Sequence, residues 1–304
     1  MKNILVEPTG KSYSPGIWAM IKYFDQRPEL GIKFHDASKL KHYQLNDFDG
    51  VWKSMGTHFS KVNGLPLIHE YPSLSTGAFP HSKNWIKKTF NVKPDLRVFL
   101  NSQVKEGFDF QDNIKYCYRD MGVDDIFFHR SSGNKEYDFV YIGSITKARK
   151  IPTLLRYFKN ENKKRSILLI GDVPDEIHQE FSGISNIHFS GRVPYEEVPK
   201  YATKARFGIN YIPDQYPFNL QTSTKLLEYL AMGLDVITTD YKWVRTFMEK
   251  NEIQLITVDE RLSNLEQQLT SYQSPVTSSL NMERYLWDGI IKQSGIEEQL
   301  IKIL

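Results

Sequence analysis

Residues 219–240 read NLQTSTKLLEYLAMGLDVITTD: a loop, a short helix and a buried strand in succession. Thr222, Ser223 and Thr224 place hydroxyls just before an apolar-periodic segment, the pattern of a helix N-terminus. Leu226, Leu227, Leu230 and Ala231 fall three and four apart, so one face of the helix packs inward. Gly233 suits the left-handed turn that ends it, and Val236 and Ile237 enter a strand. A helix N-terminus lined with hydroxyls and free backbone N–H groups is ready to hold an anion. Lys225 puts a positive charge into the first turn, where the helix dipole disfavours it. That local conflict points to a phosphate. Glu228, one turn beyond Thr224, offers a carboxylate that could accept two hydrogen bonds from a ribose diol. An ordinary amphipathic helix with a Lys225–Glu228 surface pair shows the same periodicity.

Outward from this stretch, the chain alternates buried strands with helices. Strands are expected over residues 3–8, 31–36, 49–54, 65–70 and 97–101, with helices over 15–24 and 82–90. Residues 110–136 lose the rhythm, and the polar run 131–134 (SSGN) marks a junction. A second series follows, with strands over 137–142, 166–170, 187–189, 207–211, 236–239 and 253–257. Its helices are expected near 151–160, 174–181, 195–204, 223–232, 242–250 and 260–271. This order predicts an α/β protein with doubly wound parallel sheets. The tail, 282–304, carries apolar residues at helical intervals.

Composition narrows the function classes. Hydrophobic content of 40% and charged content of 25% are those of a globular protein with real cores. The single cysteine, Cys117, excludes an internal disulfide framework and a cysteine zinc cluster, and a reducing, cytoplasmic setting is expected. Met1–Asn3 lead straight into a strand, so no signal peptide is expected, and no apolar run reaches the ~18 residues of a membrane span. A net charge of +3 argues against a nucleic-acid partner.

The segment TSTKLLEYLAMGLDVI, residues 222–237, resembles the donor-binding segment of the group 1 (family 4-like) retaining glycosyltransferases. That family has the GT-B fold: two Rossmann-like domains facing a cleft, with a C-terminal helix crossing back to the first. The resemblance implies domains at 1–133 and 134–280, and a segment at 281–304 packing back on the first. It implies that Glu228 binds the nucleotide ribose and that the backbone at Ser223 and Thr224 holds the diphosphate, beside the charge of Lys225. The family pattern often has a second Glu eight residues earlier, where this chain has Leu220. Gly143 and Ser144 end the first strand of the second series, and Lys150 follows Gly143 by seven residues, matching the family's phosphate-binding lysine. Ser144 stands where the family often has Arg, and Lys147 and Arg149 could supply the missing charge; a solvated basic loop is the plainer reading. The resemblance sets the nucleobase near Arg192 and Val193. It also makes His69 catalytic, at a strand edge on the sugar side, with Glu70, Tyr71 and the loop 73–77 at the acceptor mouth. A histidine at a strand end is as a rule structural.

The activity implied is hexosyl transfer, with retention, from a nucleoside-diphosphate sugar (UDP- or GDP-linked) to a saccharide or lipid-linked acceptor in surface polysaccharide synthesis. The alternatives are a nucleotide-sugar epimerase or phosphorylase of the same fold, or a non-catalytic partner subunit. No metal and no further cofactor is expected. Asp47-Phe48-Asp49 matches a D-x-D pattern but precedes a strand instead of ending one. The TGKS at 9–12 lacks the glycine of a P-loop, because Leu5 stands in its place. Lys83, Lys87, Lys88 and Lys93 surround Trp85, Ile86 and Phe90, a basic amphipathic stretch suited to peripheral contact with an anionic membrane.

Overall fold

The computed structural model describes residues 1–7, 15–54, 56–60, 62, 64–128, 134–272 and 280–304. The TGKS run at 9–12 and residues 131–133 of the expected junction lie outside them. Two units emerge, one formed by Met1–Gly122 with Arg284–Leu304, the other by Val123–Glu283.

In the first unit, short apolar runs form β1 (Lys2–Glu7), β2 (Ile32–Asp36), β3 (Gly50–Ser54), β4 (Leu67–Tyr71) and β5 (Leu96–Phe99), and a more exposed segment forms β6 (Lys115–Tyr118). They pair in the order β2-β1-β3-β4-β5-β6, every pair parallel. Helices α1 (Pro15–Asp25), α2 (Pro80–Phe90) and α3 (Ser102–Phe108) connect them. Proline opens α1 and α2, where its missing N–H is harmless. Asn101 caps α3, its Oδ1 accepting from the Val104 N–H at 2.9 Å.

The second unit holds β7 (Tyr137–Ile142), β8 (Ile167–Ile170), β9 (Ile187–Gly191), β10 (Ala205–Asn210), β11 (Asp235–Thr239) and β12 (Ile256–Val258). Its helices are α4 (Ile151–Asn160), α5 (Asp175–Phe181), α6 (Val198–Ala202), α7 (Thr224–Ala231), α8 (Lys242–Asn251) and α9 (Leu265–Ser271). The order is β12-β11-β10-β7-β8-β9, again parallel throughout. The chain winds outward from β7 in one direction and from β10 in the other. Their shared border is therefore the topological switch point, where open α/β sheets leave a crevice beyond the strand carboxyl ends.

Two terminal helices, α10 (Trp287–Gln293) and α11 (Ile296–Ile303), complete the first unit. Trp287, Ile291, Ile296 and Leu300 are buried in one core with Ile4, Met20, Trp52 and Ile68. Arg27 pairs with Asp288 at 2.7 Å, and the Tyr23 hydroxyl donates to Glu297.

The expected strands all appear, with ends moved by up to a few residues. Two elements went unread. β6 is an edge strand whose Lys115, Tyr116 and Tyr118 are exposed, so it carries no buried run to signal it. α3 is too short for its period to show. The pair Asp47 and Asp49 proves structural: Asp47 caps a 3₁₀ turn at Gln44, and Asp49 accepts from the Asn3 N–H at 2.8 Å and pairs with Lys2.

Candidate functional site

The switch point of the second unit gathers most of the residues singled out by sequence. β7 ends in Gly143 at φ +118°, β8 runs into Gly171 at φ +152°, and β9 ends in Gly191. The backbones close up here. Gly143 N–H donates to Ile170 O at 2.9 Å, and Gly171 N–H to Gly191 O at 3.0 Å. A Cβ on Gly171 would stand 2.3 Å from Gly143 O, so only glycine fits.

Helix α7 begins beside this edge. Ser223 is its N-cap, its Oγ accepting from the Leu226 N–H at 3.4 Å while donating to Asn210 Oδ1 at 2.7 Å. Asn210, the last residue of β10, is fully buried and donates to Thr238 Oγ1 at 2.9 Å and to the Tyr241 hydroxyl at 3.0 Å. The cap is thus bolted to two strands. Tyr229, further along α7, fixes the helix to β7: Ile142 N–H donates to its hydroxyl at 2.8 Å, and the hydroxyl donates to Val140 O at 3.2 Å. Its ring lies on Gly208 so closely that a Cβ there would meet it at 2.4 Å.

Lys225 and Glu228 face the site from this rigid helix. Lys225 is half-buried, its Cε beside Gly143 and its Nζ 5.1 Å from the Tyr141 ring centroid. Burial, and then the Arg149 guanidinium, push the Lys225 ammonium well below its ordinary pKa, with Glu228 opposing. Glu228 is buried, and burial raises its pKa to about 8 against the pull of the Tyr195 hydrogen bond and of Lys225. The Tyr195 hydroxyl donates to Glu228 Oε1 at 3.3 Å, and its ring packs on Phe127 at 5.3 Å. A cation and a carboxyl group, both short of solvation, are therefore held side by side at a strand edge. Such groups gain from a ligand that brings a diphosphate and a diol.

Lys150 is the N-cap of α4, in a left-handed conformation, with its Nζ 2.6 Å from Glu260 Oε2. Glu260 also accepts from the Asp214 N–H at 3.0 Å, tying the loop after β10 to Lys150. Arg149 stacks near Phe218 at 5.4 Å and has no carboxylate partner among the described residues. Ser144 is exposed, and its carbonyl accepts from the Tyr141 hydroxyl at 3.1 Å. Arg192 is exposed, 3.7 Å from Asp172, and Val193 beside it is half-buried, both just past β9.

His69 belongs to the first unit and needs a correction. β4 continues through Tyr71, so His69 lies inside the strand and not at its end. Its side chain is fully buried, with Nε2 3.4 Å from His58 Nδ1. Burial first, then the charges of neighbouring basic groups, lower its pKa to about 3. Glu70 and Tyr71 are core residues too, not part of a mouth. Glu70 accepts from Trp52 Nε1 at 2.9 Å and pairs with buried Arg119, and Tyr71 stacks on Phe99 at 5.1 Å.

Asn210, Tyr195, Tyr229 and Glu260 were not legible as site residues. The one available signal was a polar Asn closing the apolar strand RFGIN, next to a hydroxyl-rich loop. Among the described residues, no group of three or more His, Cys, Asp or Glu is placed to hold a metal ion, and no helix is long and apolar enough to cross a membrane.

Residues 136–271 match the family model described as Glycosyl transferases group 1. Among solved structures, the chain is similar to sucrose-phosphate synthase from Thermosynechococcus elongatus, at a TM-score of 0.72 and 13% identity over 99% of this chain and 100% of that one. It is similar to HepE of Anabaena in complex with UDP, at a TM-score of 0.68 and 12% identity over 99% and 100%. A glycosyltransferase from Rickettsia africae gives a TM-score of 0.62 and 13% identity over 99% and 96%. At such identities these likenesses speak to the fold, two Rossmann-like units of the GT-B kind. No curated protein sequence matches the chain. The second unit is thus similar to the group 1 glycosyltransferases, and the two units share the fold of the GT-B structures.

Proposed function

We propose that the chain transfers a hexosyl group, with retention, from a nucleoside-diphosphate sugar to a saccharide or lipid-linked acceptor in surface polysaccharide or glycoconjugate synthesis. The observation that carries the donor reading is the paired burial of Lys225 and Glu228 on a capped helix at the switch point. UDP is the first nucleotide to test, because HepE was solved with UDP and with UDP and glucose; GDP is the second. In this reading Glu228 accepts from the two ribose hydroxyls, and the base lies near Arg192 and Val193. The N–H groups at Ser223 and Thr224 and the backbone of Gly143 and Ser144 approach the diphosphate. Lys225, Arg149 and Lys150 supply its counter-charge, Lys150 by exchanging Glu260 for the phosphate.

The chemistry follows from charge. The bond between the anomeric carbon and the phosphate oxygen breaks, and negative charge grows on the diphosphate. Preorganised cations and N–H dipoles stabilise that charge more than they stabilise the substrate. The acceptor oxygen bonds to the anomeric carbon on the same face, and its proton passes to the departing phosphate oxygen. His69, buried and neutral, is given no part in these steps. No metal is invoked; turnover unchanged by magnesium or by chelator is the expected result, and dependence on either would remove this part of the proposal.

The deciding experiment is calorimetric titration of the chain and of Glu228→Ala and Lys150→Ala with UDP, GDP and their sugars. Selective binding lost in the variants is expected. Near-normal binding and turnover in both would sink the site assignment. Product analysis without acceptor separates transfer from epimerisation. We also propose a cytoplasmic location with peripheral contact to an anionic membrane through Lys83, Lys87 and Lys88. Sedimentation with anionic vesicles at low salt tests it, and indifference to such vesicles would end it.

A further inference from the structure

The first unit contains a pocket of about 430 Å³ beside the helix that carries Lys83 and Lys87. It is lined by Thr57, the turn Ser73–Thr76, and Lys83, Ile86 and Lys87 of α2. The sequence builds it in two steps. Pro80 starts α2 directly after the turn, and positions 83, 86 and 87 fall on one helical face, which therefore looks over the turn. Asn84 then locks the two together, its Oδ1 accepting from the Ser75 N–H at 2.9 Å, while Lys83 Nζ donates to Thr76 O at 3.1 Å.

Three features of this pocket ask for an anion. Two lysines converge on it, and none of its described lining residues is acidic. Burial, then the charge of Lys83, lower the pKa of Lys87, so the two ammonium groups sit close enough to oppose each other. Ser75 is buried, and its Oγ has no hydrogen-bond partner among the described residues. A buried hydroxyl left unpaired costs about 1–3 kcal/mol, and Ser75 is one of the lining residues, whose other polar side chains are hydroxyls and ammonium groups. An oxyanion would accept from Ser75 and relieve the repulsion between Lys83 and Lys87 in one step.

We infer that this pocket binds a phosphate-type oxyanion, held by Ser75, Thr76, Lys83 and Lys87, and that the oxyanion is carried by the sugar acceptor. The second clause rests on the glycosyltransferase reading; the first stands on the pocket alone. The oxyanion has two sources, a lipid phosphate at a membrane surface or a soluble phosphorylated saccharide, and both present the same group.

The test uses the full chain and methyl phosphate as probe, read by calorimetry with and without saturating UDP. Methyl phosphate is expected to bind in both conditions. Lys83→Ala/Lys87→Ala is expected to weaken it by about tenfold or more, and Ser75→Ala by a smaller factor. Lys88→Ala, a charge on the same helix that pairs with Asp109 at 3.2 Å and does not line the pocket, is expected to leave it unchanged, as is Lys225→Met. Lys83→Arg/Lys87→Arg is expected to restore most of the loss. Binding that survives in the double alanine variant, or that Lys225→Met abolishes, overturns the inference. Vesicles of phosphatidylcholine with phosphatidic acid, against others with phosphatidylglycerol, then assign the source. Retention by phosphatidic acid alone, lost in the double variant, identifies a lipid phosphate; methyl phosphate binding without vesicle retention identifies a soluble acceptor. UDP affinity, measured on the same proteins, is expected to be untouched by the α2 variants. Its persistence in Glu228→Ala would defeat the donor reading and leave the pocket standing.

Discussion

Both sheets hold six parallel strands, yet their carboxyl edges are made differently. In the second unit β7, β8 and β9 run out into Gly143, Gly171 and Gly191, whose backbones press together with no Cβ between them. In the first unit β3 and β4 run out into Ser54, Glu70 and Tyr71, all buried. Trp52, Ser54 and Arg119 converge on the Glu70 carboxylate. A glycine edge lets a ligand approach the backbone closely. An edge of buried, paired side chains offers a ligand little exposed backbone. Recognition there moves outward to loops, such as the Ser73–Thr76 turn under α2. One fold, used twice, thus places the proposed donor site on the strands in one unit and the inferred anion pocket beyond them in the other.

This contrast can be broken by experiment. The largest effect is expected in the first unit: Arg119→Met strands a buried carboxylate and should cost about 3–5 kcal/mol of stability in urea unfolding. A loss under ~1 kcal/mol would mean that the Glu70 network is not sealed. Next comes the second unit's function. Glu228→Ala combined with Lys225→Met should weaken donor binding about a hundredfold, two charged hydrogen-bonding groups being removed. An unchanged affinity by calorimetry would deny the glycine edge its ligand. Gly208→Ala forces a Cβ against the Tyr229 ring and should destabilise by about 1–3 kcal/mol. Urea unfolding that fails to register it would show α7 to be loosely seated.

The last effect is a slope. The Glu228 pKa is raised from 4.5 to about 8, so between those values the folded chain holds a proton that the unfolded chain has released. Ligand-free stability should therefore fall as pH rises through that window, and Glu228→Gln should flatten the fall. Melting temperatures that decline identically in both proteins would return Glu228 to the ordinary carboxylates.

What the sequence disclosed follows from the same contrast. The register of α7 was legible because hydroxyls, apolar spacing and Gly233 mark both ends of that helix locally, and its buried face is the expected one. The alternation of strands and helices was legible because parallel strands are apolar runs. His69 was misplaced because its neighbours fix the strand's length only through pairing with β3 and β5, a contact no local pattern carries. Asn210 and Tyr229 escaped for a related reason. Their partners lie 28 and 89 residues away, on β11 and β7.

The terminal helices bear on how the chain matures. Trp287, Ile291, Ile296 and Leu300 fill the core built on β1 and α1, although the whole second unit intervenes in sequence. A nascent chain emerges from its N-terminus, and domains usually complete in that order. Here the order is reversed. Every residue of the second unit has been synthesised while the first still lacks part of its interior, so the second unit can mature first and the earlier one waits, with apolar surface uncovered, for residues 284–304. Premature termination within α10 or α11 would therefore injure the half of the protein made first.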